Sequence, residues 1–331
     1  MSTQLLDGQD PAAIRRAAQA LADGELLGLP TETVYGLAAR ADQDGAVAKI
    51  FAAKGRPSDH PLIVHVLDEA GARVFAQDLP PVAQRLMQAF WPGPLTLIVQ
   101  RASGVAAAAA GGQSTVGLRS PSHPVARALL AACRELGVQG LAAPSANRFG
   151  RVSPTLAAHV VDEFDQGLLV LDGGPCEVGI ESTIVDCSRG RPVLLRPGVL
   201  TPAQIEAAAE TSLHAPDAQA PRASGTLAAH YAPRAVVRLM TTESLRAALA
   251  GLRPAGLAVY SRSALDLGDT PGRVMPGQAR AAARQLFAVL RELDAAGAAE
   301  IWVESPPAEP AWDGVRDRLT RAAAAFAANA G

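Results

Sequence analysis

Short apolar runs of strand type alternate with longer segments of helical periodicity along the first two-thirds of the chain. The strand-type runs occupy 26–30, 61–66, 95–100, 115–119, 167–174, 181–188 and 192–198. The helical patterns occupy 44–55, 81–90, 123–137 and 154–164, and the last is predicted to begin at Ser153-Pro154. A further helix is predicted near the N-terminus, with Asp10 as its cap and Pro11 at its first position. This alternation favours an α/β fold in which helices flank a mixed sheet.

A change of composition divides the chain into parts. After a short helix that starts near 202, the sequence to about 232 is rich in Pro, Ala, Ser and Gly and has no sustained period, which indicates a linker. A second alternation of strands and helices follows, over roughly 100 residues, and this is large enough for a small domain. We therefore divide the chain into 1–205, 206–232 and 233–331.

Composition and charge exclude several classes of protein. The chain has 331 residues, of which 49% are apolar, and a net charge of -2, which argues against a protein whose main task is to grip duplex nucleic acid. No apolar run approaches the roughly 18 residues of a membrane span, and the N-terminus does not read as a signal peptide. Three widely spaced cysteines fit a reducing compartment. We therefore expect a cytoplasmic protein without a disulfide framework or a Cys-rich metal site.

The basic residues are unevenly divided between the two types. Only Lys49 and Lys54 are lysine among 30 basic residues, and Lys54 stands two positions before Arg56. A coding bias towards arginine explains most of this, but a compact ammonium group is not interchangeable with a guanidinium beside a phosphate. The Lys-x-Arg spacing lets both cations reach one polyanion. The alternative is a solvated helix C-terminus, where cations interact with the helix dipole.

Further polar residues stand at the ends of predicted strands, where α/β sheets bind ligands. The two histidines His60 and His65 flank an apolar run. The alternative for a single histidine is a buried core residue whose ring nitrogens are hydrogen-bonded, and this is the more common case. Thr31 and Thr33 follow the first strand, and the alternative there is a helix cap formed by threonine. The remaining candidates at strand ends or in Pro/Gly-rich loops are Arg119, Ser145, Asn147, Ser153, Ser182 and Arg196. Cations interleaved with hydroxyl groups suit a nucleotide phosphate and a small amino acid.

Six blocks of the sequence resemble, in order, those of the YrdC-like threonylcarbamoyl-AMP synthases. They are "LPTETVYGLAARA", "KGRPSDHPLIVHV", "FWPGPLTLIV", "VGLRSPSHP", "APSANRFGRVSPT" and "ESTIVDCSRGRPVLLRPG". The resemblance covers about residues 8 to 200, and the linker ending in "HYAP" with the tail after it resembles the two-domain type. It implies a YrdC-like catalytic domain at 1–205 with a twisted mixed sheet, a linker or lid at 206–232, and a smaller Rossmann-like α/β domain at 233–331.

The resemblance also implies the roles of individual residues. Lys54 and Arg56 are implied as the catalytic pair that faces the ATP phosphates. The implied ATP-binding residues are Lys54, Arg56, His60, Thr115, Ser145, Asn147, Ser153, Arg196, His230 and Tyr231. The implied threonine-binding residues are Thr33, His65, Arg119, Ala143 and Ser182, with Arg119 suited to the substrate carboxylate.

The implied reaction joins L-threonine, bicarbonate or CO2, and ATP into threonylcarbamoyl-adenylate and diphosphate. By resemblance, the product feeds the transfer machinery that modifies adenosine 37 of tRNAs reading codons that begin with A. We expect Mg²⁺ to accompany ATP, although no carboxylate cluster marks a dedicated metal site. Two alternatives stay open. The first is an RNA-binding module, but the net charge and the 4% of aromatic residues argue against it. The second is a carbamoyltransferase or maturation factor of the same fold, whose extra zinc-finger segments would carry CxxC pairs that this sequence lacks.

Overall fold

The computed structural model describes residues 3–164 and 167–327. Its described residues form two compact units. The first runs to Phe149, resumes at Ser153 and ends at Thr226, and the second combines Gly150–Val152 with the chain from Leu227 onward.

The first unit is a mixed sheet with flanking helices. Its strands are β1 (Gln4–Asp7), β2 (Leu27–Leu29), β3 (Gly36–Arg40), β4 (Ile63–His65), β5 (Leu95–Gln100), β6 (Thr115–Arg119), β7 (Leu141–Ala142), β8 (Leu169–Asp172), β9 (Thr183–Asp186) and β10 (Val193–Arg196). Its helices are α1 (Pro11–Ala22), α2 (Asp44–Lys54), α3 (Glu69–Phe75), α4 (Pro81–Phe90), α5 (Pro124–Glu135), α6 (Ala157–Glu163) and α7 (Pro202–Ala209). Within the described residues the strand order is β1-β8-β2-β3-β7-β4-β6-β5-β9-β10. The predicted α/β class with a mixed sheet is confirmed.

Helices cover the two faces of this sheet unequally. On one half of the sheet, α1 and α5 pack their apolar sides, represented by Leu21 and Leu129, against Leu27 and Leu141. On the opposite face, the larger cluster includes Ile50 of α2 and Leu86 of α4. Because side chains alternate along a strand, neighbouring residues of β4, β5 and β9 face opposite sides of the sheet.

The other half of the first face carries a small apolar patch instead of a helix layer. Ile63, Ile98 and Ile184, from β4, β5 and β9, form this patch, and the partly buried Leu195 and Ala223 pack on it. Their neighbours Val64, Leu97 and Val185 belong to the larger cluster on the other side. The strand alternation therefore leaves a surface of β4, β5 and β9 that the chain near Ala223 covers.

One alternative for local structure is excluded and one prediction was wrong. The segment after Thr31 does not cap a helix, because it turns back into β3, which pairs antiparallel with β2. The helix predicted from Ser153-Pro154 begins only at Ala157. The Ser153 hydroxyl does not cap α6, since it donates to the carboxylate of Glu181. By contrast, Asp10 caps α1 as predicted, by accepting a hydrogen bond from the amide of Ala12 at 2.8 Å.

The second unit is a smaller parallel α/β layer. Its strands are β11 (Val236–Met240), β12 (Leu257–Ser261), β13 (Gly272–Val274) and β14 (Glu300–Glu304), and its helices are α8 (Thr242–Ala250), α9 (Ala279–Ala295) and α10 (Asp313–Ala327). Within the described residues its strands lie in the order β11-β14-β12-β13, all parallel. This unit confirms the prediction of a second, smaller α/β part.

A buried carboxylate joins the carboxyl ends of the strands in the second unit. One oxygen of Glu304 accepts from the hydroxyls of Thr242 at 2.7 Å and Ser263 at 2.8 Å. The other accepts from the amides of Arg262 and Ser263, both at 2.7 Å. Burial alone would raise the pKa of the Glu304 carboxyl, but these hydrogen bonds outweigh it and lower the pKa below its ordinary value.

We expect Glu304→Ala to lower the free energy of unfolding by about 3 kcal/mol at pH 7, because several buried donors lose their acceptor. The folded-state pKa of Glu304 is depressed, so its ionised carboxylate stabilises the fold above the ordinary pKa of a glutamate. This contribution to the free energy of unfolding is lost as the pH falls through the folded-state pKa. Urea denaturation at pH 7 and in acid measures both effects. Glu292→Gln, at an exposed glutamate of α9, is the control; an equal loss in both variants would contradict this role for Glu304.

Candidate active site

The predicted site residues of the first unit gather where strands end beside the apolar patch. Lys54 ends α2, His65 and Arg119 end β4 and β6, and Arg196 ends β10. The register sets His65 directly opposite Arg119. These four basic side chains are all buried. Burial of several cations in one unit requires acceptors for each of them, and these acceptors define the site.

Lys54 is held by the loop that follows β7. Its ammonium group donates to the carbonyl oxygens of Ser145, at 2.5 Å, and Asn147. α2 stops here because Gly55 adopts the left-handed conformation, with φ 62°, and its amide returns to the last turn. Burial, followed by the nearby charge of Arg56, lowers the pKa of Lys54 well below its ordinary value. Three predicted site residues thus meet at one ammonium group.

Arg56 lies between the loop before β4 and the chain that crosses the apolar patch. Its guanidinium donates to the carbonyl of Pro61 at 3.0 Å and to the hydroxyl of Ser224 at 3.4 Å. It also lies over the ring of Phe149, 5.7 Å from the centroid. The half-buried His60 packs edge-on against the same ring, with 5.5 Å between centroids. His60 and Arg56 therefore share one aromatic wall.

Arg119 forms a buried ion pair with Glu32 in the turn between β2 and β3. Its Nη2 donates to Oε1 of Glu32 at 2.7 Å, and both side chains are about 5% exposed or less. The other oxygen of Glu32 accepts from the amide of Ser122 at 3.2 Å. The Nε of Arg119 donates to the carbonyl of Gly93 at 3.3 Å. The guanidinium is therefore fixed from two directions.

His65 is a neutral imidazole beside this ion pair. Burial, followed by the charge of Arg119, lowers its pKa to about 3. Its Nδ1 lies 3.3 Å from the carbonyl of Ile63, and that carbonyl also accepts from the amide of Ala143 at 3.0 Å. Ala143 is buried at the end of β7, so the threonine-side candidates His65, Arg119 and Ala143 are neighbours in the sheet.

Buried hydroxyl groups line the same region. The hydroxyls of Thr33 and Thr31 lie 2.9 Å apart. The hydroxyl of Ser182 lies 2.8 Å from that of Thr96, a β5 residue. Arg196 donates to the carbonyl of Ser182 at 2.9 Å and to its hydroxyl at 3.2 Å. Ser182, predicted for threonine, and Arg196, predicted for ATP, are therefore directly joined.

Two nucleotide-side candidates of the first unit remain, Thr115 and Ser153. Thr115 begins β6 and lines a narrow cavity with Ile63, Thr96 and Ser224. Ser153 is fully buried and donates to Glu181, the residue before Ser182.

His230 and Tyr231 belong to the second unit. Their rings pack edge-on with centroids 4.2 Å apart, and Arg318 lies over the ring of Tyr231 at 5.4 Å. Tyr231 has a φ of 63°, a conformation that is unfavourable for a bulky side chain. Such strain is maintained only where surrounding contacts fix it. Their predicted contact with ATP stays a prediction.

Sequence reasoning missed three contributors to the site. Glu32, between two threonines, neutralises Arg119. Thr96 is a polar residue between two buried leucines of β5, and its hydroxyl lies beside that of Ser182. Ser224 contacts Arg56 through its hydroxyl and Arg196 through its carbonyl, the latter at 2.9 Å. Thr96 could have been found from its polar position within a buried strand, whereas Ser224 carries no sequence signal in a linker composition.

Two kinds of feature are absent from the described residues. No group of three or more His, Cys, Asp or Glu within residues 3–164 and 167–327 is arranged to hold a metal ion. Among the same residues, no helix is long and apolar enough to span a membrane.

The depressed pKa of His65 predicts a pH dependence of stability. The unfolded chain binds a proton near the ordinary pKa of histidine, whereas the folded chain binds it only near pH 3. The contribution of His65 to the free energy of unfolding is therefore fully present above the unfolded pKa. Between pH 7 and pH 4, protonation of His65 in the unfolded chain should lower the free energy of unfolding by about 3 kcal/mol. His65→Gln should lose correspondingly less over that range in urea denaturation. His214→Gln, at an exposed histidine, is the control; the same slope in all three proteins would contradict the assignment.

Comparisons with known proteins agree with this architecture. The Sua5/YciO/YrdC family, described as "Telomere recombination", matches residues 19–198. The family described as "Threonylcarbamoyl-AMP synthase, C-terminal domain" matches residues 200–324. Both parts of the chain thus match consecutive families.

Individual relatives give the same result. A threonylcarbamoyl-AMP synthase of Pyrococcus abyssi is 36% identical over 329 residues, and the alignment covers 93% of each chain. One from Bacillus subtilis is 46% identical over 207 residues, covering 62% of this chain and 58% of the relative. The crystal structure of P. abyssi Sua5 complexed with L-threonine superposes with a TM-score of 0.87 at 34% identity, covering 98% of each chain. The chain therefore belongs to the Sua5 family of two-domain threonylcarbamoyl-AMP synthases.

Proposed function

We propose that this chain forms L-threonylcarbamoyl-adenylate and diphosphate from L-threonine, bicarbonate or CO2, and ATP. The observation that carries the proposal is a set of four buried cations beside buried hydroxyl groups, in a chain that belongs to the Sua5 family. Lys54 and Arg56 lie at the end of α2 and just after it, and Arg119 and Arg196 end β6 and β10. Related chains of this family are named for this synthase activity.

The chemistry requires little covalent help from the protein. The amine of threonine attacks the carbon of CO2 with release of a proton, or that of bicarbonate with loss of water, and either route gives a carbamate. One oxygen of the carbamate then attacks the α-phosphorus of ATP, and diphosphate leaves. Such steps depend mainly on positioning and on neutralisation of negative charge, which a set of fixed cations supplies.

The threonine side is built around Arg119. A guanidinium held by Glu32 keeps a fixed orientation and is suited to the carboxylate of the substrate. Thr33 and Ser182 supply hydroxyls for the substrate hydroxyl, and Ala143 supplies backbone groups. His65 is neutral at physiological pH, so it can accept or donate a hydrogen bond without adding a charge.

The nucleotide side is built around Lys54 and Arg56. Both are buried. The ammonium group of Lys54 donates to the carbonyls of Ser145 and Asn147, and the guanidinium of Arg56 lies over the ring of Phe149. The phosphates of ATP are the ligand that these cations fit. Thr115, Ser153 and Arg196 complete this side, and His60 against Phe149 forms a wall suited to the nucleoside.

Any Mg²⁺ is best understood as part of the substrate. Carboxylates are its preferred protein ligands, yet the described residues offer no metal-binding group of three or more. Mg²⁺ would then be held mainly by the ATP phosphates and water, and it would neutralise the leaving diphosphate.

We propose that 1–205 is the catalytic part, 206–232 a lid and 233–331 the accessory domain. Residues near Ser224 already contact Arg56, Arg196 and the apolar patch within the first unit. A covering segment would exclude water from a carbamoyl-adenylate, which is a mixed anhydride and therefore labile. His230 and Tyr231 stand near the end of 206–232 and are proposed to act on the nucleotide side.

The fate of the product follows from its lability. A mixed anhydride has to be consumed soon after release, so we propose that the chain supplies a transferase system that modifies adenosine 37 of tRNAs reading codons that begin with A. The rival function, an RNA-binding module, would need a basic, aromatic surface rather than buried cations. Threonine-dependent exchange between ATP and labelled diphosphate distinguishes the two functions.

Lys54→Ala and Arg56→Ala should each lower adenylate formation by about 10²-fold or more, the usual scale for removing a preorganised charge. The assay incubates the protein with ATP, bicarbonate and threonine and separates the acyl-adenylate by chromatography. Lys49→Ala is the matched control, since Lys49 is the other lysine of the chain, lies on the same helix and pairs at the surface with Glu25. Near-normal turnover in both active-site variants would refute their assignment, and no adenylate from the parent chain would refute the function.

Gln113→Ala tests the lid. The Gln113 side chain accepts from the amide of Arg222 at 2.8 Å and donates to its carbonyl at 3.1 Å, so its loss should loosen the covering segment. We expect more diphosphate released per adenylate recovered, and faster trypsin cleavage after Arg222. In the parent chain, ATP and threonine together should slow this cleavage. Gln84→Ala, at a glutamine of α4, is the control; if the Gln113 variant behaves like it, the segment is only a tether.

A further inference from the structure

The loop that follows β7 and carries Ser145, Asn147 and Ser153 is called the nucleotide loop. Three of its residues belong to the second unit. Gly150–Val152 lie in the chain between Phe149 and Ser153, and their contacts group them with the residues from Leu227 onward. This short segment links Asn147 to Ser153, two residues that the proposed function assigns to ATP. Whatever fixes the segment therefore restrains both of these residues through the chain.

The segment is held by its backbone and by one side chain. The carbonyl of Gly150 accepts from the amide of Ala232 at 2.9 Å, and Arg151 and Ala232 form an isolated parallel bridge. The carbonyl of Val152 accepts from the guanidinium of Arg291 on α9. The guanidinium of Arg151 pairs with Asp294, one turn further along the same helix, at 3.4 Å. Both ends of the segment are therefore tied within the second unit.

Asp294 has a central place among these contacts. Its side chain is 10% exposed. One oxygen accepts from the amides of Arg234 at 2.8 Å and Ala235 at 2.9 Å. The other oxygen faces the guanidinium groups of Arg151 and Arg234, each at 3.4 Å. A single carboxylate thus holds both the nucleotide-loop segment and the chain that follows Tyr231.

We propose that Asp294 is a positioning residue for ATP binding: through Arg151 and the chain at Arg234, it fixes Gly150–Val152, and so holds Asn147 and Ser153 in their binding geometry. The proposal rests on the proposed function for the assignment of Asn147 and Ser153. A side chain remote from the reacting atoms can have this effect because a small misplacement of binding groups weakens the productive complex. It also gives the C-terminal unit a role in catalysis that does not require a ligand site of its own.

The kinetic test compares Asp294→Ala and Asp294→Asn with the parent chain. We expect Asp294→Ala to raise the KM for ATP by about 10-fold or more, while the KM for threonine and kcat change by less than about threefold. Asp294→Asn retains the oxygen that accepts from the two amides and loses the charge opposite Arg151, so its effect should be intermediate. Glu292→Gln, two residues away on α9 at an exposed ion pair, is the control and should match the parent.

The structural test does not depend on turnover. Trypsin should cleave after Arg151 faster in Asp294→Ala than in the parent or in Glu292→Gln, because the ion pair that restrains Arg151 is lost. Arg151→Ala should reproduce the rise in the KM for ATP, and the Arg151/Asp294 double variant should be less than additive, as expected for residues that act through one contact. Arg151→Ala and Asp294→Asn also keep the test valid if Asp294→Ala does not fold.

The outcomes distinguish failure of the proposed synthase function from failure of the positioning role of Asp294. A parent chain that forms no adenylate refutes the proposed function, whereas cleavage at Arg151 still reports on the anchor. Unchanged KM for ATP in the Asp294 and Arg151 variants overturns the positioning role. An equal change in both KM values and kcat, together with a lower melting temperature, also overturns it, because the residue would then serve stability alone.

Discussion

The buried ion pair of Arg119 and Glu32 is the interaction on which the geometry of the site depends. It joins the turn after β2 to the end of β6, strands that are not neighbours in the sheet. Replacing two hydrated charges by one contact at 2.7 Å gives little net stability, but loss of either partner would leave a buried charge uncompensated. The pair thus enforces one arrangement of the turn that carries Thr33 and of the strand end beside His65.

The uneven covering of the sheet explains why the site lies where it does. Helices α1 and α5 close one half of a face, and the other half presents Ile63, Ile98 and Ile184 to the linker residue Ala223. A surface covered by irregular chain can be opened at lower cost than one covered by packed helices, since fewer apolar contacts are lost. Rigid strands therefore position the polar groups, and the lid role proposed for 206–232 would use a covering that opens at low cost.

Much of the fold and part of the site could be predicted from the sequence. Strand and helix patterns identified most elements, because local periodicity is encoded within a few residues. Blocks such as "KGRPSDHPLIVHV" led to the prediction of Lys54 and Arg56 as site residues, and the structure shows that both are buried. The residues that pair with the buried arginines could not be predicted. Glu32 meets Arg119 across 87 positions, and Ser224 reaches Arg196 from a linker without pattern. Such contacts depend on strand order, which no local pattern determines.

The scarcity of lysine has a consequence for the study of this protein in solution. The ammonium group of Lys49 is at the surface, with its side chain 45% exposed, whereas Lys54 is 3% exposed and bonded to two carbonyl oxygens. Apart from the α-amino group, an amine-directed dye or crosslinker therefore meets a single accessible target in the folded chain. Acylation of Lys54 would report opening of the nucleotide loop, so the chain carries its own chemical probe of local unfolding.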